Sequence, residues 1–461
     1  MTQRSFTKKS LAQRIQAGVA PFGSFVNGRL ARQSLLAIAI RVGAMALGFA
    51  QAVLLARLLG AAGYGFVAIV LSAASIMAVF ALMGLAGYGS REVARLRARE
   101  AYAELRAFVW QAGVFVLCAS LTIGLIALVL GAAWNNEMGA ALIWAAALVP
   151  FMALLLLFRG VSQGLGEIAA ALSPGDVLRP FFVIAFSLVS YAVYGYFSYE
   201  NVLAYIVAAN AIAFIIAGVW LWRRQRFASV SSQESQASTP LRLRDAKKFF
   251  LLSILLIIQG EANTLLVGAL ADAREAGLFQ AAFRLGMIVF IAKQAIDAPL
   301  APRIVRYWEK QDREGLTRLV SSVSKVTAFS SSALCLAILL AGPMVLNVMG
   351  PDFHDAEGSL TILAVGVLAF GLCGPGAALL SMTGHERDVV ESLFIAIALN
   401  LLVGTMFIPV SGAFGGAIAT ATGLILWNVL MARRVMMRLR IDPTVISVLA
   451  GSFSAEKAAS R

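Results

Sequence analysis

Long runs of apolar residues, separated by short polar stretches, recur along the whole chain. A helix of about twenty apolar residues crosses the hydrocarbon core of a bilayer, and backbone groups in lipid must form their hydrogen bonds within such a segment. We therefore predict an all-α integral membrane protein with about twelve transmembrane helices. The predicted spans are 35–56, 66–87, 107–131, 140–160, 180–198, 202–222, 248–270, 277–299, 326–347, 358–381, 392–409 and 413–432.

A polar stretch from Phe227 to Pro240 divides the chain almost in half. It is rich in Ser and Gln and has no periodic apolar face, which is typical of a flexible linker. A shift of about 212 residues places Gly65 on Gly277 and Arg91 on Arg303, a faint repeat that predicts two parallel six-helix lobes around a central cavity. The predicted units are a basic N-terminal segment (1–34), an N-lobe (35–222), a linker (223–247), a C-lobe (248–434) and a C-terminal tail (435–461).

Composition supports the membrane prediction and limits the partners. Hydrophobic residues make up 60% of the chain and charged residues 13%, and the mean hydropathy is +0.83. The net charge of +14 is dispersed among short segments between apolar runs, which favours membrane lipids over nucleic acid as the partner. Basic residues concentrate in the loops after even-numbered spans, so the positive-inside rule predicts that both termini are cytoplasmic.

Metal, disulfide and nucleotide chemistry have little support. The three cysteines fall inside apolar runs, where they are typical of packing residues, and the two histidines fall in predicted loops on opposite sides of the membrane. No stretch resembles an ATP-binding loop. We therefore expect no metal and no cofactor. The energy that the protein uses should come from an ion gradient, from the membrane potential or from downstream consumption of its product.

Five ionisable residues fall inside predicted spans, where a charge is costly and is by default a functional candidate. They are Arg41, Glu261, Arg284, Lys293 and Asp297. Arg41 and Arg284 indicate either a cationic cavity for an anionic head group or buried ion pairs that fix helix packing. Glu261 falls at nearly the depth of Arg284, so it either balances that charge or carries a coupling proton or cation.

Two further pairs of polar residues lie four positions apart, on one helical face. Lys293 and Asp297 are predicted to form an interfacial salt bridge near the end of their helix. Gln259 and Asn263 are secondary cavity candidates. They either hydrogen-bond a sugar or join neighbouring helices.

Several stretches resemble one known family. ARLLGAAGYG (Ala56–Gly65) and SREVARLR (Ser90–Arg97) resemble the first hairpin of the polysaccharide flippases of the multidrug/oligosaccharidyl-lipid/polysaccharide exporter superfamily. Three stretches of the second half are similar to later segments of that family. They are EAGLFQAAFRLG (Glu275–Gly286), VMGPDFHDAEGSL (Val348–Leu360) and NLLVGTMFIPVSGAFGGAIATA (Asn400–Ala421).

The resemblance implies a transporter and not an enzyme. It implies flipping of undecaprenyl-pyrophosphate-linked oligosaccharides from the cytoplasmic to the periplasmic leaflet of a bacterial inner membrane, by alternating access. Such transport serves lipopolysaccharide or exopolysaccharide synthesis, with a polysaccharide polymerase and glycosyltransferases as candidate partners. The alternative is a cation-coupled multidrug antiporter of the same superfamily, whose cavity would favour acidic groups such as Glu261. A glycan polymerase is disfavoured, because outward-facing glycan chemistry usually needs a sizeable external loop.

Overall fold

The computed structural model describes residues 29–134, 136–195, 197–227, 243–297 and 300–445. Every regular element within these residues is a helix. The α-helices are α1 (Arg29–Leu82), α2 (Leu85–Ala98), α3 (Tyr102–Ala133), α4 (Glu137–Gly164), α5 (Ile168–Leu172), α6 (Arg179–Tyr194), α7 (Tyr199–Phe227), α8 (Leu243–Leu270), α9 (Ala273–Asp297), α10 (Ala301–Glu309), α11 (Arg313–Met349), α12 (Glu357–Leu372), α13 (Gly376–Met382) and α14 (Glu386–Leu439). A π-helical turn (Ser173–Leu178) joins α5 to α6, and a 3-10 turn (Pro351–Ala356) precedes α12.

The two longest helices are each broken near the middle. The backbone of α1 leaves the helical conformation at Gly60, where φ is +66°. The backbone of α14 does so at Ser411 and Gly412, where φ of Gly412 is +50°. Glycine adopts positive φ without a Cβ penalty, so both breaks fall where the sequence permits them. The breaks divide these helices into segments 29–59 and 61–82, and into segments 386–410 and 413–439.

The number of spans follows from these breaks. Nine segments of the described chain are long and apolar enough to cross a membrane. Two of the nine contain the breaks and hold two spans each, which raises the number to eleven. Helix α9, which carries several charged residues, is the twelfth, because its 25 residues are long enough to cross a bilayer. The prediction of an all-α membrane protein with about twelve spans is thereby confirmed.

The fifth span begins at Ile168 and not at residue 180 as predicted. The sequence predicts a connection between residues 160 and 180, but α5 and the π-helical turn lead directly into α6. Pro174 and Pro180 lie within this continuous helical stretch, where each lacks a backbone N–H to donate. Asp176 and Arg179 consequently lie in a helical segment and not in a loop.

Chain turns alternate between two ends of the helical bundle. We call them the Gly60 end, where Gly60 approaches the Asp352 carboxylate, and the Gly84 end, where Gly84 packs against the backbone of Phe250. Fully buried apolar residues from both halves of the chain, such as Val70, Leu148 and Leu363, share one core between these ends.

Three predicted units are described only in part. The N-terminal segment (1–34) is described from Arg29, and the C-terminal tail (435–461) to residue 445. Helix α7 ends at Phe227 and helix α8 begins at Leu243. Residues 228–242 of the predicted linker lie outside the described residues. The start of the tail packs on α11, where Ser324 Oγ donates a hydrogen bond of 2.7 Å to the Pro443 carbonyl oxygen.

Candidate functional site

A cavity of about 290 Å³ lies between α1, the π-helical turn, α6, α7 and α9. Its charged lining residues are Arg41, Asp176, Arg179 and Arg284, and Gln51 adds an uncharged polar side chain. The other lining residues are apolar or glycine. Most of the lining comes from the first half of the chain, whereas Arg284 comes from the second. The cavity therefore combines a cationic lining with walls that are otherwise apolar.

The two arginines predicted from burial cost line this same cavity. Arg41 lies in segment 29–59 of α1, and Arg284 lies near the middle of α9. Both side chains are exposed to the space around them. Neither forms an ion pair or hydrogen bond with another residue that the structure describes. The geometry therefore joins two distant positions of the sequence in one site.

Asp176 is held by an arginine from outside the cavity lining. Arg159 of α4 donates from Nη2 to Asp176 Oδ2 at 2.6 Å and from Nη1 to Oδ1 at 3.4 Å. The Arg159 and Asp176 side chains are 33% and 31% exposed, so water screens the pair less than at an open surface. Arg159 thus occupies both carboxylate oxygens and compensates the one acidic charge that the described residues contribute to the lining.

Arg179 is the cationic residue that the sequence analysis missed. Its side chain is partly buried, and within the described ranges it has no ion-pair or hydrogen-bond partner. The charges of Asp176, Arg284, Arg159 and Glu261 all lie within electrostatic reach of its guanidinium. Three arginines, Arg41, Arg179 and Arg284, therefore face one cavity without an acidic partner in contact, considering only the part of the chain that is described.

Glu261 lies beside this site and contacts the opposite half of the protein. Ser72 Oγ, in segment 61–82 of α1, donates a hydrogen bond of 2.7 Å to Glu261 Oε2 in α8. No ion pair within 4.0 Å joins Glu261 to Arg284, both of which are described. Glu261 is partly buried and does not line the cavity, but its charge reaches Arg179. It therefore belongs to the electrostatic surroundings of the site.

The secondary polar candidates lie away from the cavity lining. Asn263 is buried, and its Nδ2 donates a hydrogen bond of 2.6 Å to Thr420 Oγ1, which joins α8 to α14. Both amide atoms of Gln259 are buried without a hydrogen-bond partner among the described residues. The side chains of Lys293 and Asp297 lie outside the described residues, so their salt bridge stays a prediction. No group of three His, Cys, Asp or Glu residues in the described ranges could hold a metal ion.

The fold is similar to that of solved membrane transporters. An inward-facing multidrug resistance MATE family transporter of the MOP superfamily aligns with a TM-score of 0.64 at 15% identity, covering 86% of this chain and 94% of its own. The lipid II flippase MurJ, in an inward closed conformation, aligns with a TM-score of 0.63 at 14% identity, covering 92% and 93%. A MOP superfamily transporter from Pyrococcus furiosus Vc1, described by a binding pocket of reverse polarity, aligns with a TM-score of 0.57 at 16% identity, covering 89% and 95%. At such identities the likeness establishes the fold.

The sequence itself establishes the family. None of the curated proteins matches the chain. The family described as polysaccharide biosynthesis protein matches residues 30–308, which is more than half of the chain. That range contains every charged residue of the cavity, together with Arg159 and Glu261. The chain therefore belongs to the polysaccharide biosynthesis protein family and is a multi-pass membrane protein with the fold of the MOP superfamily transporters.

Proposed function

We propose that this protein flips undecaprenyl-pyrophosphate-linked oligosaccharides from the cytoplasmic to the periplasmic leaflet of a bacterial inner membrane. The observation that carries the proposal is the cavity lined by Arg41, Arg179 and Arg284. Membership of the polysaccharide biosynthesis protein family supports a glycan, and the likeness to a lipid II flippase supports a lipid-linked substrate. The product would serve lipopolysaccharide or exopolysaccharide synthesis.

Electrostatics favours a pyrophosphate group in this cavity. Guanidinium groups without anionic partners are costly in surroundings of low dielectric constant, and Arg41, Arg179 and Arg284 share one small space. A pyrophosphate supplies several oxygen acceptors, and arginine binds such oxygens with two parallel hydrogen bonds. The apolar walls strengthen the attraction, because the Coulomb energy rises as the effective dielectric constant falls.

Charge asymmetry supports an orientation in the membrane. At the Gly84 end, Arg91, Arg95, Arg303 and Arg306 are exposed, whereas the Gly60 end exposes acidic residues such as Asp352. The positive-inside rule then assigns the Gly84 end and both termini to the cytoplasm. In this orientation the head group enters from the inner leaflet near Arg41.

Transport then follows from relative motion of the two halves. The pyrophosphate binds the arginines, the glycan occupies the space between the two halves, and the polyprenyl chain stays in lipid. Rocking of the halves about the cavity would expose the head group on the other side. Glu261 joins the halves through Ser72, and it serves either as the coupling group or as charge balance. Glycosyltransferases would supply the substrate, and a polymerase would consume the product.

Antiport of organic cations is the alternative that one observation favours. Glu261 lies within electrostatic reach of the cavity, and a MATE family transporter shares the fold. An organic cation would nevertheless meet Arg41, Arg179 and Arg284 before any unpaired carboxylate in the described lining. Repulsion between like charges makes this the weaker candidate.

A flipping assay in liposomes tests the proposal. Purified protein would be reconstituted with a fluorescent polyprenyl-pyrophosphate oligosaccharide, and transfer between leaflets would be measured for the wild type and for Arg41→Ala, Arg179→Ala and Arg284→Ala. We expect transfer to fall in each cavity variant. The matched control is Arg318→Ala, because Arg318 is exposed and pairs with Glu314 away from the cavity. Absence of transfer by the wild type, together with transport of a lipophilic cation, would favour the antiporter.

A further inference from the structure

We infer that Arg159 is a positioning residue that keeps Arg179 available for an anionic ligand, because Arg159 neutralises Asp176, which would otherwise pair with Arg179. The inference rests on the proposed function and adds a residue outside the cavity lining to the binding site. It assigns a role to the Arg159 and Asp176 pair, which neither the family nor the shape of the cavity explains.

The positions of Asp176 and Arg179 set up the competition. They lie three residues apart in one continuous helical segment, and both line the cavity. Both side chains face the same small cavity, and opposite charges attract strongly in surroundings of low dielectric constant. The charge of Asp176 indeed reaches the Arg179 guanidinium. Without another cation, the Asp176 carboxylate would have Arg179 as the nearest partner on its own helix.

Arg159 binds the Asp176 carboxylate and thereby leaves Arg179 available to a ligand. Both of its terminal nitrogens donate to the Asp176 carboxylate, at 2.6 and 3.4 Å. Two parallel hydrogen bonds between a guanidinium and a carboxylate form the stronger type of ion pair, and partial burial reduces screening by water. With both oxygens engaged by Arg159, the Arg179 guanidinium is left without a contacting carboxylate in the described residues.

The π-helical turn supports this arrangement. Asp176 lies within the turn Ser173–Leu178, where the wider helix changes the direction of its side chains relative to a continuous α-helix. Pro174 is buried at the start of the turn, and Ser173 Oγ donates a hydrogen bond of 2.6 Å to the Ala169 carbonyl oxygen. Such turns are frequent at functional sites. Here the turn places Asp176 against Arg159 of α4, while Arg179 begins the regular helix α6.

The inference predicts that one substitution weakens ligand binding and that a second substitution restores it. Arg159→Met removes a cation that does not line the cavity, but it releases the Asp176 carboxylate to pair with Arg179. Ligand binding should therefore weaken. The double variant Arg159→Met with Asp176→Asn removes both charges of the pair, so Arg179 stays available and binding should recover. A purely structural role of the ion pair predicts no recovery, because the double variant still lacks the pair.

Binding of inorganic pyrophosphate to the purified full-length protein tests this inference by isothermal titration calorimetry at fixed ionic strength. We expect the dissociation constant to rise about tenfold in Arg159→Met and to return to within about threefold of the wild type in the double variant. Asp176→Asn alone should bind at least as tightly as the wild type. Thermal unfolding of each variant separates a binding effect from loss of the fold.

The outcomes distinguish this inference from the proposed function. Equal binding by Arg159→Met and the wild type, or no recovery in a folded double variant, would overturn the inference alone. If Arg159→Met does not fold, weaker binding by Asp176→Asn than by the wild type would also overturn it. Absence of pyrophosphate binding by the wild type would overturn the proposed anion site and the inference together.

Discussion

Gly65 of α1 and Gly277 of α9 lie against each other's helix backbone. A Cβ atom on Gly65 would overlap the Ala273 carbonyl oxygen, and one on Gly277 would overlap the Ala61 carbonyl oxygen. The contact is reciprocal, because Ala61 and Gly65 occupy the same positions in one helix as Ala273 and Gly277 in the other. Small residues four positions apart allow membrane helices to approach this closely. This contact between α1 and α9 lies between the cavity and the Gly60 end.

We expect Gly277→Val to open the cavity toward the proposed periplasmic side. The added side chain cannot fit against the α1 backbone, so the two helices must separate near the Gly60 end, at a cost of about 1–3 kcal/mol typical of overpacking. The measurement is labelling of a cysteine introduced at Gln51, which lines the cavity, by an impermeant maleimide in intact cells. Cys118, Cys335 and Cys373 would be replaced first.

The control for this change is Gly218→Val. A Cβ atom at Gly218 meets no other atom within 4 Å, so the same substitution there should leave labelling at the wild-type level. Equal labelling of Gly277→Val and Gly218→Val would show that the contact between α1 and α9 does not limit access to the cavity.

Glu275 stabilises the point where the broken helix α14 begins again. Its Oε2 accepts a hydrogen bond of 2.8 Å from the backbone N–H of Ala413, immediately after the positive φ of Gly412. We expect Glu275→Ala to lower the free energy of unfolding by about 0.5–2 kcal/mol, the usual cost of losing a helix cap. Glu275→Gln should cost less, because the amide oxygen still accepts the bond.

Unfolding in detergent measures this effect, with Glu314→Ala as the control. Glu275 pairs with Arg274 at 3.6 Å. Glu314 likewise pairs with an arginine but is exposed, and an exposed ion pair contributes at most about 1 kcal/mol. Equal losses in Glu275→Ala and Glu314→Ala would mean that the Ala413 contact adds nothing beyond an exposed ion pair.

The sequence predicted the spans and two residues of the cavity lining for identifiable physical reasons. Apolar runs must be helical in lipid, so the number of spans could be predicted from hydropathy. Arg41 and Arg284 could be identified from the sequence because a charge within an apolar run is unusual. Arg179 and Asp176 were missed because they fall between the predicted spans 140–160 and 180–198, whereas the structure continues the helix through this stretch. Charged residues at helical spacing between the two prolines were the available signal.

The direction of side chains in α8 could not be predicted. The cost of a buried charge selected Glu261, and helical spacing added Gln259 and Asn263 as secondary candidates, because sequence reveals depth in the membrane but not which neighbour faces a residue. The rotation of α8 is determined by its packing, which directs Asn263 toward Thr420 and Glu261 toward Ser72. The cavity lining depends on the same packing. Contacts between distant segments are therefore the part of the site that local patterns do not contain.

The contact between Asn263 and Thr420 should contribute to stability and not to ligand binding. Thr420→Val removes the acceptor of the buried Asn263 amide, and a buried donor without a partner costs about 1–3 kcal/mol. We expect lower stability in detergent with unchanged pyrophosphate affinity. Thr405→Val is the control, because Thr405 is exposed and bonds within its own helix. A loss of affinity in a folded Thr420→Val variant would assign Asn263 to the ligand site after all.

The role of Glu261 can be separated from that of its hydrogen bond. Glu261→Gln keeps an oxygen that accepts from Ser72 Oγ but removes the charge, whereas Ser72→Ala removes the bond and keeps the charge. A coupling group must bind and release a proton or cation, which a glutamine side chain cannot do. We therefore expect Glu261→Gln to lose the response of flipping to an imposed pH or sodium gradient, and Ser72→Ala to keep it.

Flipping in liposomes with and without each gradient measures this difference. Since Glu261 also acts electrostatically on Arg179, its neutralisation should in addition tighten the binding of pyrophosphate, because one negative charge near the site is lost. A Glu261→Gln protein that still responds to the gradients, but binds pyrophosphate more tightly, would identify Glu261 as charge balance for the arginines. The coupling group would then have to lie elsewhere, and Asp176 is the carboxylate of the described cavity lining.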